Sequence, residues 1–165
     1  MERDSLTGLL NHTQLKRRLV DELDRARRIG NPMSFVMIDL DHFKSVNDNY
    51  GHLTGDRVIK ALSRLLQERL RKTDTIGRYG GEEFGVILFN SNAENAERTM
   101  NEIRESFSRI RQRDGEKDFF VTLSCGIASF PDFEDALKIG EEADKALYAA
   151  KRSGRNRTVV AGRTV

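Results

Sequence analysis

The chain has 165 residues, enough to bury the core of one domain, and its 33% charged and 38% hydrophobic residues exclude the disordered and fibrous classes. Its 28 basic and 26 acidic residues leave a formal charge of +2, which argues against a general attraction to nucleic acid polymers or anionic membranes and confines anion binding to local clusters. Cys125 is the single cysteine, so an internal disulfide is excluded, thiolate metal chemistry is a poor expectation, and a reducing, cytoplasmic setting fits.

In chain order, Leu15, Leu19, Leu23 and Ala26 recur at helical spacing among charged residues, and the pattern stops at Gly30 and Pro32. SFVMIDLDHF follows, apolar on both alternating faces until Asp39, which reads as a strand buried on both sides with an acidic carboxyl end. Lys44 to Gly51 is polar and reads as a short helix or turn. Thr54 offers an N-cap to a helix with Val58, Ile59, Leu62, Leu65, Leu66 and Leu70 on one stripe. TIGRY and EEFGVILF then read as two strands of a hairpin joined at Gly80 and Gly81.

A third long helix, with Asn92 as its cap, carries Ala96, Met100, Ile103, Phe107 and Ile110 inward. FFVTLSCGIASF is rich in strand formers, Glu134 to Arg152 reads as a last helix with Leu137, Ala143, Ala146, Leu147 and Ala150 inward, and RTVVA as a short edge strand. This order predicts an α+β fold, a mostly antiparallel sheet covered by helices, in one domain spanning 1–165. The longest apolar runs fall far short of the roughly 20 residues of a membrane helix, so a soluble chain without direct membrane contact is expected, whatever anchors a longer parent protein.

The acidic positions carry the chemistry. Strand alternation puts Asp39 and Asp41 on one face, about 6.6 Å apart, and sends Glu82 and Glu83 to opposite faces if their strand has begun, so only one glutamate joins Asp39 easily unless the glycine turn twists the backbone. Asp39 ends a buried strand, where an unpaired carboxylate is costly. Oxygen donors without thiolates favour Mg²⁺ or Mn²⁺, and carboxylates holding two such ions about 4 Å apart suit in-line displacement at phosphorus. Lys44, Lys151 and Arg155 are the nearby candidates for phosphate contacts.

DSLTGLLNH, DLDHFKSVND, YGHLTGD, RYGGEEF and ADKALYAAKRSGRN, in this order over roughly Asp4 to Asn156, resemble the successive signatures of the GGDEF family, the diguanylate cyclases, in its GGEEF variant. The resemblance implies a five-stranded sheet like the palm of polymerases and nucleotidyl cyclases. It implies condensation of two GTP into cyclic di-GMP with release of two pyrophosphates, one GTP held by each of two domains that meet face to face as a transient homodimer. It also implies a catalytic piece of a longer, sensor-containing protein.

Carried over by position, Asp39 and Glu82, with the Leu40 carbonyl, would hold two Mg²⁺ or Mn²⁺ ions per GTP. Glu83 would assist metal binding or deprotonation of the 3′-hydroxyl. Gly80 and Gly81 would let the backbone approach the phosphates, and Lys44, Lys151 and Arg155 would meet them. Asn47 and Asp56 would read guanine. Arg71 and Asp74 stand in the register of an inhibitory site that binds product, where a helper arginine of the family aligns with Glu102. The rival readings are a catalytically silent module that binds GTP or cyclic di-GMP, and a related cyclase using ATP.

Overall fold

The computed structural model describes residues 2–163. Helix α1 (His12–Ile29) buries Leu15, Leu19, Leu23 and Ala26, the apolar stripe of an amphipathic helix. Asn11 caps it by accepting from the Gln14 N–H, and the Gln14 side chain accepts in return from the Asn11 N–H, so two otherwise orphaned donors are satisfied. Strand β1 (Met33–Leu40) is buried at every residue. After it come α2 (Phe43–Tyr50), α3 (His52–Arg69), β2 (Thr75–Gly80), β3 (Glu83–Phe89), α4 (Ala93–Ser108), β4 (Gln112–Asp114), β5 (Lys117–Phe119), β6 (Leu123–Phe130), α5 (Ala136–Arg152) and β7 (Thr158–Val160).

The main sheet has the order β2-β3-β1-β6-β7. β1 lies at its centre, antiparallel to β3 and β6, while β7 adds parallel to β6. This is the α+β, mostly antiparallel five-stranded sheet that the sequence led us to expect. Alternation along β1 divides the core. Met33, Phe35 and Met37 pack with α1 and α5, whereas Val36, Ile38 and Leu40 pack with residues of α2, α3 and α4. Each large side chain so buried contributes about 1.5–3 kcal/mol. By the same parity Asp39 belongs to the face covered by α5.

Four expectations are corrected. Thr54 is not a cap: α3 starts at His52 behind Gly51, and the Thr54 hydroxyl donates to Asp114 and accepts from Arg57. A three-residue hairpin, β4–β5, lies where no strand was expected, although the Asp114-Gly115 pair carries its signal. The central hairpin turns one residue later than read, because Gly80 pairs with Glu83 and the turn is Gly81-Glu82. In α5, Leu137 is 75% exposed and Ile139 is fully buried. Asp135 caps this helix by accepting from the Lys138 N–H, which fixes the start and so which side chains face the sheet. Among the described residues no helix is long and apolar enough to cross a membrane.

The reassignment in α5 gives a direct check by chemical denaturation. Ile139→Ala, which opens a cavity at a fully buried site, is expected to cost about 2–5 kcal/mol. Leu137→Ala, at the exposed site, is expected to change stability by no more than about 0.5 kcal/mol.

Candidate active site at the end of the central strand

Where β1 ends, its two neighbours continue to hold it. The Leu40 N–H donates to the Glu82 carbonyl at 3.2 Å, and the Asp41 N–H donates to the Thr122 carbonyl at 2.9 Å. The first bond seats the β2–β3 turn beside Asp39. In the ladder Asp39 and Glu83 are direct partners, and partners across an antiparallel pair share a face. Asp39, Leu40, Glu82, Lys44, Lys151 and Arg155 line one shallow cavity of about 260 Å³.

Alternation would separate the two glutamates only if their strand had begun at Glu82; it begins at Glu83, and the turn decides the outcome. Glu83 is the first residue of β3 and faces with Asp39, while Glu82 lies in the turn, outside any pleat. Gly80 at φ 144° and Gly81 at φ 52° supply the twist, a backbone path that costs glycine little and an L-residue more. A Cβ on either glycine would meet no protein atom within 4 Å, so it is conformation rather than crowding that calls for glycine here, and the space in front of the turn is open.

The turn is clamped from outside by Arg78. Its Nε and Nη2 donate to the Gly81 carbonyl at 3.1 and 2.8 Å, and its Nη1 donates to the Asp4 carboxylate at 3.1 and 3.3 Å. Asp4 also accepts from the N–H and hydroxyl of Thr7. Burial alone would raise the Asp4 carboxyl, but the Thr7 bonds and the Arg78 charge outweigh it and hold the group below its ordinary value. Sequence reading quoted both residues inside motifs without giving either this role, since a pair 74 positions apart leaves no local signal.

Asp41 forms a second brace. It accepts from the Thr122 and Ser124 hydroxyls, both at 2.7 Å, and from the Asn156 N–H at 3.0 Å. Arg104 donates to the Asn156 carbonyl and side chain. The segment after α5 is thereby tied to the end of β1, with Arg155 and Asn156 in left-handed backbone at φ 62° and 46°. Asp41 shares the expected side of the strand with Asp39 but is saturated by hydrogen bonds, which leaves it a positioning group.

Charge at the site is unbalanced. Asp39 is 4% exposed and, among the described residues, its only cationic partner is the ammonium of Lys151 in the last turn of α5. Burial pushes the Asp39 carboxyl up, Lys151 pulls it back, and Glu82 and Asp41 push it up again. Burial likewise raises Glu83, with Asp39 the next cause. Lys44 is 90% exposed and paired with Asp48 at 2.9 Å. A divalent cation fits this donor set: of the cations lining the cavity only Lys151 pairs with Asp39, two of the three neighbouring carboxylates are raised, and Leu40 lines the same cavity. Among the described residues no three acidic, His or Cys side chains form a closed metal cage, so a cation held here would need further oxygen donors, such as water, to complete its coordination.

The other expected residues fall elsewhere. Asn47 on α2 is half-buried, and its side-chain oxygen is shielded from solvent without a hydrogen-bond donor; Gly55 makes room for it, since a Cβ there would lie 2.0 Å from that oxygen. Asp56 on α3 is half-buried, and among the described residues its side chain has no hydrogen-bond or ion-pair partner. Arg71 and Asp74 pair with each other at 3.0 Å, and Asp74, with a side chain only 2% exposed, also accepts from the N–H groups of Arg71 and Phe89. Glu102 is exposed on α4, and nearby Arg104 is committed to Asn156.

Comparison with known proteins agrees with this geometry. The family model described as "Diguanylate cyclase, GGDEF domain" matches residues 1–157. The chain is 40% identical over 158 residues to the diguanylate cyclase DgcP of Pseudomonas aeruginosa, covering 96% of this chain but only 24% of that protein's length. Its fold is similar to the GGDEF domain of DgcB from Caulobacter crescentus in complex with c-di-GMP, with a TM-score of 0.92, 35% identity and coverage of 98% and 96% of the two chains. It is also similar to the active GGEEF domain of a diguanylate cyclase from Vibrio cholerae, with a TM-score of 0.87, 34% identity and coverage of 93% and 98%.

The raised Glu83 carboxyl has a measurable consequence. A carboxyl raised by folding binds more protons in the folded state, so stability falls as pH rises from the unfolded value near ~4.3 through the higher folded value. In protein stripped of divalent cations, Glu83→Gln is expected to raise the melting midpoint at pH 7, with the gain shrinking to nothing as the pH falls below ~4.3. An equal gain at all pH values contradicts the assignment.

Proposed function

The chain belongs to the GGDEF domain family, and we propose that it is a diguanylate cyclase that condenses two GTP molecules into cyclic di-GMP and releases two pyrophosphates. The observation that carries this reading is the crowding of carboxylates at the end of β1, where Glu82 and Glu83 stand close enough to Asp39 for their charges to act on one another. A silent binding module has no need to keep three carboxylates together against burial and mutual repulsion.

In this mechanism Asp39, Glu82 and the Leu40 carbonyl would hold two Mg²⁺ or Mn²⁺ ions per GTP, which would supply Lewis acidity toward the attacking 3′-hydroxyl and offset charge on the triphosphate. Each 3′-oxygen forms a bond to the α-phosphorus of the other nucleotide, the bond from that phosphorus to the β-phosphate bridging oxygen breaks, and pyrophosphate leaves. Glu83, whose raised carboxyl holds a proton more readily than an ordinary glutamate, accepts the hydroxyl proton. Lys151, which pairs with Asp39 from the last turn of α5, would contact the phosphates. Lys44 and Arg155 reach the same oxygens from the cavity rim.

Guanine is read by Asn47 and Asp56. The solvent-shielded Asn47 oxygen and the unpaired Asp56 carboxylate supply acceptors for the N1–H and amino group of guanine. Adenine presents no such donor pair and leaves those acceptors unpaired. One domain holds one GTP, so product forms only when two copies meet face to face. Arg71 and Asp74 form an inhibitory site for cyclic di-GMP. Its Asp74 is already engaged by Arg71 and two backbone N–H groups, and Glu102 adds negative charge where the family often has arginine, so product binds there weakly.

The test is incubation with Mg²⁺ and either GTP or ATP, followed by separation of the nucleotides. Cyclic di-GMP from GTP, nothing cyclic from ATP, and a fall of about 100-fold or more in Asp39→Asn and Glu82→Gln are expected. Rate should rise with the square of protein concentration when dimers are scarce. No cyclic product from GTP at high protein concentration leaves the silent-module reading standing instead.

A further inference from the structure

Away from the carboxylate cluster, on the other side of the first turns of α3, a cavity of about 190 Å³ opens between that helix and the β4–β5 hairpin. Arg57 and Arg64 line it from α3, and Arg111 and Arg113 from the hairpin side. Asp114 lies 4.0 Å from Arg57, and Asp118 pairs with Arg111 at 3.5 Å and Arg113 at 3.0 Å. Two carboxylates thus face four guanidiniums; Arg57 also donates to the Thr54 hydroxyl and the Arg113 carbonyl, and among the described residues Arg64 has no hydrogen-bond or ion-pair partner. Packing four arginines around one small concavity is unfavourable by repulsion unless an anion offsets it.

A second observation points the same way. Gln112, also in the lining, is 6% exposed, and its amide nitrogen is sealed from solvent without an acceptor. An orphaned buried amide donor costs free energy that a bound acceptor recovers. Guanidinium forks match phosphoryl oxygens in pairs, and amide N–H groups complete such a cradle. The volume takes one or two phosphoryl groups and not a whole nucleotide.

We propose that this cavity is a binding site for a phosphoryl oxyanion, either free phosphate or pyrophosphate, or the phosphate end of a larger nucleotide that extends into solvent. Arg64 and Arg111 supply the charge, and the Gln112 amide supplies the directed donor at the floor. The site is separate from the carboxylate cluster and does not depend on the cyclase reading.

The test follows the Gln112 side-chain amide and the arginine Nε–H signals by ¹⁵N NMR at constant ionic strength while inorganic phosphate, pyrophosphate or CTP is added. A saturable shift at Gln112 with at least one of the three is expected. Saturation at lower concentration by phosphate or pyrophosphate than by CTP identifies a free inorganic anion, and the reverse order identifies a nucleotide end. The double variant Arg64→Gln, Arg111→Gln, both exposed positions, should weaken binding by about 10-fold or more. Gln112→Met should weaken it by ~5-fold while leaving the anion-free melting midpoint unchanged or raised, because an unsatisfied buried amide is removed. A shift that never saturates, an affinity unchanged in either variant, or a lowered midpoint in Gln112→Met overturns the proposal.

Discussion

The organisation of the site follows from one constraint: a carboxylate sits at the end of a strand that is covered on both faces. Asp39 inherits its position from the apolar alternation of β1, which sends Met33, Phe35 and Met37 against α1 and α5 and leaves Asp39 next in the same row. An ionised group there needs compensation. Lys151 at the end of α5 provides part of it, while Glu83 directly opposite and Glu82 in the adjoining turn work against it. The strand ladder, the Leu40 bond to Glu82 and the Arg78 clamp hold these like charges together at a cost to stability. Concentrating unfavourable charge in this way is how phosphoryl-transfer sites prepare for divalent cations.

Much of this was legible in the sequence because the relevant signals are local. The doubly apolar run ending at Asp39 and the Asn92 cap each follow from neighbours within a few residues, and each is found where it was expected, while the glycine turn is found one residue later. The misreadings arise where longer-range geometry decides. Alternation separates Glu82 from Glu83 only within a strand, and the strand begins at Glu83. Leu137 looked inward because a leucine in an amphipathic helix usually is, but the Asp135 cap sets the phase that buries Ile139 instead. The links from Asp4 to Arg78 and from Asp41 to Asn156 span 74 and 115 positions, and no window of sequence contains both ends.

The two braces also define how motion elsewhere reaches the site. Asp4 lies in the segment before α1 and holds the turn through a single guanidinium, so displacement of that segment loosens Glu82 without touching a carboxylate. Asp41 and Arg104 hold the segment after α5 through Asn156, which governs where Arg155 stands. The turn that carries Glu82 and the rim that carries Arg155 are thus secured by different parts of the chain, while Lys151, in the last turn of α5, pairs with Asp39 between them.

The most direct test of the central claim is the affinity for Mn²⁺, measured by electron paramagnetic resonance in the presence of 3′-deoxy-GTP, which binds but has no hydroxyl with which to react. The account predicts saturable Mn²⁺ binding by the native chain and a loss of about 10-fold or more in Asp39→Asn, which keeps the shape of the side chain and removes its charge. Equal Mn²⁺ affinity in the two proteins would show that the buried carboxylate at the end of β1 is not what the cation binds, and would contradict the account.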